Sequence, residues 1–266
     1  MFINHPATVF QGVHPDNVFF VSNDQRVQMG YGYVLHSFRP ELFPERPQLL
    51  YLHMEVKNSA RSLLSGALLA RAEELRSMYP QAPARLYTAI PARDVETLRY
   101  YEKIGFRSDD SEDVYRFTPV PGRAVAPMGM QYASVPLETI EQQEQFLARV
   151  NLGHIQPITR DELTLMRQQP HFFALAFYMK GVPVCECLIA GTDGNVLLAD
   201  IHTAPQYRRQ GLAYQLLGAA GVHLHAQGVD KLYASIIKRN AMHSGLMRKL
   251  NAEFVRTVNV LPGIDL

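Results

Sequence analysis

An apolar run, Val196-Leu197-Leu198-Ala199-Asp200-Ile201, breaks at His202-Thr203-Ala204-Pro205-Gln206-Tyr207-Arg208-Arg209-Gln210-Gly211-Leu212-Ala213 and resumes as helix-compatible sequence from Tyr214 to Ala220. A chain passing from strand through a tight turn into a helix leaves several backbone N–H groups unpaired at one point. Those amides, at the positive end of the helix dipole, attract phosphate. Gly211 lets the backbone close on a ligand with no side chain in the way. Arg208 and Arg209 add charge-assisted hydrogen bonds to the same phosphates. Two other phosphate cradles are excluded. No Lys-Ser or Lys-Thr closes a glycine-rich turn here, and a dinucleotide fingerprint needs three spaced glycines where this turn has Gly211 alone. The turn therefore points to a ligand carrying a diphosphate.

This unit lies in the second of two halves that read alike. Arg85 to Asp94 can be laid over Lys231 to Asn240 at an offset of 146 residues. Tyr101-Glu102-Lys103-Ile104-Gly105-Phe106 then falls on Met247-Arg248-Lys249-Leu250, with two residues inserted before Phe254. Leu49 to Val56 parallels Val196 to Thr203, each followed by a helical pattern. A repeat of that length is domain-sized, so duplication of a whole fold is the economical account. With 266 residues, 47% of them hydrophobic, the chain has material for two modest cores. Pro119 to Gly129, three prolines and two glycines in eleven residues, resists both helix and ladder. The expected division is 1–120, a linker at 121–129, and 130–266.

A net charge of +1, with acidic and basic residues spread along the chain, lacks the basic footprint of a nucleic-acid or membrane-surface binder. No apolar run reaches the length of a membrane span, and the N-terminus lacks the pattern of a signal peptide. A cytoplasmic protein is expected, its oligomeric state open and a homodimer included. Cys185 and Cys187, two apart on a strand, share a face and make a poor disulfide. With no Cys or His nearby at zinc spacing, and with His223 and His225 on different faces of a helix, no metal site is expected.

In the second half, Gln131 to Pro136 reads as a strand, and 138–151 and 160–168 read as helices, the latter capped by Thr159. Strands His171 to Met179, Val182 to Ala190 and Val196 to Thr203 are separated by the turns Lys180-Gly181 and Thr192-Asp193-Gly194-Asn195. Helix 211–227, strand Lys231 to Ile237, a helix over 241–250 and strand Glu253 to Val260 complete it. The first half opens on a hairpin, Asn17 to Ser22 with Arg26 to Phe38, without the two opening helices. The tyrosine-rich Met29 to Tyr33 reads as strand packing.

The six residues Arg208 to Ala213, Arg-x-x-Gly-x-Ala, resemble motif A of the GCN5-related N-acetyltransferases (GNAT), Gln/Arg-x-x-Gly-x-Gly/Ala. The order of elements from about residue 130 onward is similar to that family as well. The resemblance implies an α/β fold of two GNAT-like domains, each a mostly antiparallel mixed sheet flanked by helices. It implies acetyl-CoA as donor and a small-molecule amine as acceptor, with direct attack on the thioester. The cofactor residues it implies are Ile201 and Thr203 on the strand edge, Arg208, Arg209, Gln210, Gly211, Leu212, Ala213 and Tyr214 at the turn, and Asn240 and Met247 in motif B. His202, Asp200 and Glu186 are the candidates for taking the amine proton. An unperturbed histidine titrates in the right range, about 6.5, and His202 shares a strand face with Asp200. Met247 stands where many family members carry a tyrosine that protonates the leaving thiolate; His243 and Ser244 lie one turn earlier. The first half keeps the tyrosine, as Tyr101 beside Tyr100, but its Arg61 and Gly66 are five apart where Arg208 and Gly211 are three apart. It is read as a degenerate copy.

Overall fold

The computed structural model describes residues 1–119, 126–153 and 157–266; of the expected linker, 121–125 lie outside the described residues. The chain divides into two compact units, Met1–Glu112 with Thr257–Leu266, and Asp113–Arg256.

The first unit carries β1 (Phe2–Asn4), β2 (Val18–Ser22), β3 (Gln28–Phe38), β4 (Gln48–Val56), α1 (Arg61–Arg76), β5 (Ala84–Tyr87), β6 (Ile90–Pro91) and α2 (Val95–Lys103). The division falls within β7 (Ser111–Phe117). In the second unit follow β8 (Met130–Ser134), α3 (Ile140–Val150), α4 (Arg160–Arg167), β9 (His171–Met179), β10 (Val182–Thr192), β11 (Asn195–Thr203), α5 (Leu212–Ala226), β12 (Leu232–Ile237), α6 (Ala241–Lys249) and the start of β13 (Glu253–Val260). A last strand, β14 (Gly263–Asp265), returns to the first unit and pairs with β5.

The first sheet runs β1-β2-β3-β4-β5-β14. Its core is built where α1 lays Leu64, Leu68 and Ala72 on Val21, Val34, Leu50, Leu52 and Leu86. In the second unit the sheet order is β13-β7-β12-β11-β10-β9-β8. One face takes Leu212, Leu216, Leu217 and Leu224 of α5 against Cys185, Cys187, Ile189 and Leu198. The other takes Phe146 and Leu147 of α3 and Leu163 of α4 against Ala174, Ala176 and Leu188. Both cysteines are free and buried, small strand residues in an apolar core.

Local chemistry explains the boundaries. Lys180 and Gly181 both adopt positive φ, 50° and 79°, the backbone of a two-residue hairpin between β9 and β10. Thr139 with Gln142, and Thr159 with Glu162, close full capping boxes at the starts of α3 and α4. The internal repeat is visible residue by residue: α2 and α6 coincide end to end at the 146 offset. Both stop on the same hydrogen bond, Phe106 N–H to Tyr101 O and Ala252 N–H to Met247 O, each 3.0 Å. The residue that turns the chain there is left-handed in each, Gly105 at φ 96° and Asn251 at φ 49°. Three short strands, β1, β7 and β14, have no counterpart in the sequence reading. The compact units also divide within β7 and β13 rather than at the proline-rich stretch, because the last ten residues pair with β5 and β6.

Candidate active site

The site is assembled at the C-terminal end of β11. A register shift between Leu188 and Ile189 leaves Ala199 as an extra residue on β11: Leu188 faces Asp200, yet Ile189 faces Leu198. Without this bulge Leu198 and Asp200, two apart, would share a face. With it, Leu198 stays in the core under α5, while Asp200 and His202 turn to the α3/α4 face beside Glu186, the cross-strand partner of His202.

On its other edge β11 parts from β12. Among the described residues their parallel register covers only Leu197 and Tyr233. Ala204 N–H donates to Val184 O at 2.9 Å, which sets the alternation of hydrogen bonds toward β10. By that alternation the peptide groups of Ile201 and Thr203 point away from β10, into the gap. One is taken: Arg208 Nε donates to the Thr203 carbonyl at 3.0 Å. Arg208 thus braces the turn with this nitrogen.

The turn itself has the expected backbone. Gly211 is the N-cap of α5 at φ 81°, ψ 7°, and no side chain caps the helix. Gly211 itself has no side chain to accept from the amides of the first turn. Arg209 is left-handed as well, at φ 61°. Backbone held in that region by a non-glycine residue costs about 1–3 kcal/mol and is tolerated where the surroundings enforce it. Leu212 faces the core, and Ala213 and Tyr214 lie partly buried in the first turn. Gln210 Nε2 reaches only the Gln206 carbonyl, at 3.4 Å. Lys249, at the end of α6, places its ammonium 4.8 Å from the centroid of the Tyr214 ring.

Burial lowers the pKa of His202 from 6.5; Asp200 and Glu186 pull it up, and Arg208 and Arg149 add to the lowering. The imidazole is therefore neutral at pH 7 and able to accept a proton. Glu186 is 1% exposed and bound by both oxygens to Arg149 of α3, Nε to Oε2 at 2.7 Å and Nη2 to Oε1 at 2.9 Å. The carboxylate expected among the proton acceptors is thus one half of a buried ion pair. Asp200, 4% exposed, lies close enough to His202 to bias its charge.

Two motif B residues are engaged within the protein. Asn240 is buried and its carbonyl oxygen accepts from Met242 N–H at 3.2 Å and His243 N–H at 3.1 Å, so it caps α6. Met247, 3% exposed, packs in the α5 core. His243 Nδ1 lies 3.3 Å from Asn240 Nδ2, and Ser244 Oγ donates to Lys238 O at 2.7 Å. Arg149 and Lys249 were not singled out in the sequence. Arg149 is 37 residues from its partner, and Lys249 ends an ordinary amphipathic helix.

In the first unit, Gly66 sits inside α1 and carries no positive φ, so the turn before α1 lacks the left-handed glycine. Tyr101 is buried, its pKa raised by desolvation, and Tyr100 shares a 2.6 Å hydrogen bond with Ser65.

No family model matches the sequence, and no curated protein matches it. Solved structures do. A GCN5-related N-acetyltransferase from Sphaerobacter thermophilus is similar over 96% of this chain and 82% of its own, with a TM-score of 0.50 and 18% identity. A GCN5-related N-acetyltransferase from Anabaena variabilis has a TM-score of 0.55 at 14% identity, over 93% of this chain and 62% of its own. The chain has the GNAT fold. Eis1 from Mycobacterium abscessus is similar too, with a TM-score of 0.54 at 11% identity, over 92% of this chain and 63% of its own. Within the GNAT fold, the bulged, splayed strand and the left-handed turn at Gly211 fall in the second unit. Among the described residues no group of three or more His, Cys, Asp or Glu is placed to hold a metal, and no helix is long and apolar enough to cross a membrane.

Proposed function

We propose that the second unit transfers acetyl from acetyl-CoA to the primary amine of a small molecule by direct attack. The observation that carries this reading is the uncapped, left-handed turn at Gly211 beside the open edge of β11. The amides of the first turn of α5 suit a diphosphate. The peptide group of Ile201, on the open strand edge, suits the amide-bearing arm of the donor, as a peptide extends a sheet. Acetyl-CoA supplies an activated thioester. His202, neutral at pH 7, takes the proton of the attacking amine; the nitrogen–carbon bond forms, the carbon–sulfur bond breaks, and the sulfur departs with the electron pair. Asp200 stabilises the imidazolium that results.

A second reading, an acyl-CoA-binding module without turnover, is favoured by Met247, which fills the core where a tyrosine would protonate the thiolate. Release of free thiol from acetyl-CoA, measured against a panel of small amines, separates the two. Amine-dependent thiol release supports transfer; tight CoA binding with no release across the panel supports the module and overturns the enzyme.

A further inference from the structure

The start of α5 gathers positive charge in an unusual way. A side chain at position 211 would begin 3.5 Å from Lys249 Nζ, so the ammonium stands directly over the left-handed turn. Tyr214 holds it there, 4.8 Å from the ring centroid. Among the described residues Lys249 has no carboxylate partner. The positive pole of α5 is at the same place, with Arg208 and Arg209 three and two residues before Gly211. Cations at a helix N-terminus are unfavourable by themselves and become favourable when an anion sits between them.

The first unit shows the contrast. There Arg61, at the start of α1, lies 4.7 Å over the Tyr100 ring, and its charge reaches Asp94, the N-cap of α2. At the 146 offset Asp94 becomes Asn240, so the copy with the left-handed turn has lost the built-in carboxylate. At that helix cap the first unit has a carboxylate and the second an amide.

We infer that Lys249 is a direct ligand of the diphosphate of the donor, and that Tyr214 is the positioning residue that aims it. This rests on the proposed function of the turn. The test is calorimetric titration of the full chain with CoA, dephospho-CoA and pantetheine, comparing wild type with Lys249→Gln, Lys249→Arg and Tyr214→Leu. A charge-assisted hydrogen bond predicts that Lys249→Gln weakens CoA and dephospho-CoA alike by roughly 10- to 100-fold and leaves pantetheine unchanged. Lys249→Arg should restore most of the loss. Tyr214→Leu should show a smaller loss with the same ligand pattern. Lys249→Gln with unchanged CoA affinity, or a loss shared by pantetheine, or one confined to CoA over dephospho-CoA, overturns the assignment. If the wild type itself binds CoA no better than pantetheine, the diphosphate reading of the turn falls first. Lys249 is exposed, and matching melting curves confirm that the variant is folded.

Discussion

Replacing Gly211 by alanine isolates the backbone requirement of the turn. A Cβ at 211 meets Lys249 Nζ at 3.5 Å and Gln215 Nε2 at 3.9 Å, which is ordinary contact, so there is no clash to relieve. What remains is the φ of 81°, where an L-residue with a Cβ costs about 1–2 kcal/mol. At about 2–4 °C per kcal/mol for a chain of this size, Gly211→Ala should lower the melting temperature by roughly 2–8 °C. Asparagine tolerates the left-handed region better, so Gly211→Asn should lose less than the alanine variant even though it is bulkier. If instead the chain relaxes out of φ 81°, the amides of the first turn rotate away and CoA affinity falls by at least about tenfold. The assay is a melting series with and without saturating CoA for the three proteins. An alanine variant as stable as wild type, with unchanged CoA stabilisation, would refute the claim that this turn is held left-handed for a ligand.

Other outcomes follow from the same geometry. Arg149→Ala leaves the carboxylate of Glu186 buried without its partner and should destabilise by about 3 kcal/mol in urea unfolding, with Arg149→Ala/Glu186→Gln recovering much of it; additive losses would show the pair is not coupled. His202 has its pKa lowered by burial, so its neutral form persists below pH 6.5 and kcat should fall only as pH drops through that lowered value. His202→Asn should remove this acid limb along with most of the rate, and an unchanged profile would exclude His202 as the base. Gly263→Ala puts a Cβ 2.7 Å from the Arg85 guanidinium, which is 4% exposed and pinned by Asp109 and Asp265. It should cost about 1–3 kcal/mol by overpacking, and a neutral result in urea unfolding would mean β14 is loosely held.

Most of the second unit is legible because its signals are local. Lys180-Gly181 forces a hairpin, Thr159 reaches only as far as Glu162, and His171–Met179 and Glu253–Val260 match their strands end to end. The first unit's missing opening helices are legible for the same reason. What is illegible depends on pairing between distant residues. The strand β14 is three residues held by distant partners, β5 some 180 residues earlier in the chain (Arg85 opposite Asp265) and Arg107. For Glu186, its facing opposite the cysteines can be read from period two, but its state cannot. Arg149, on another element, converts a candidate base into one half of an ion pair. Met247 shows the reverse: its place in the repeat is legible, and burial takes its apolar side chain to the core.

The central claim is that the amides at the start of α5 seat a diphosphate. The most direct measurement is the backbone amide spectrum of the ¹⁵N-labelled chain titrated with CoA and, separately, with pantetheine. The account predicts that Gly211, Leu212 and Ala213 show the largest shifts with CoA and stay nearly still with pantetheine. Shifts concentrated elsewhere, or these three amides unmoved at saturating CoA, would contradict it.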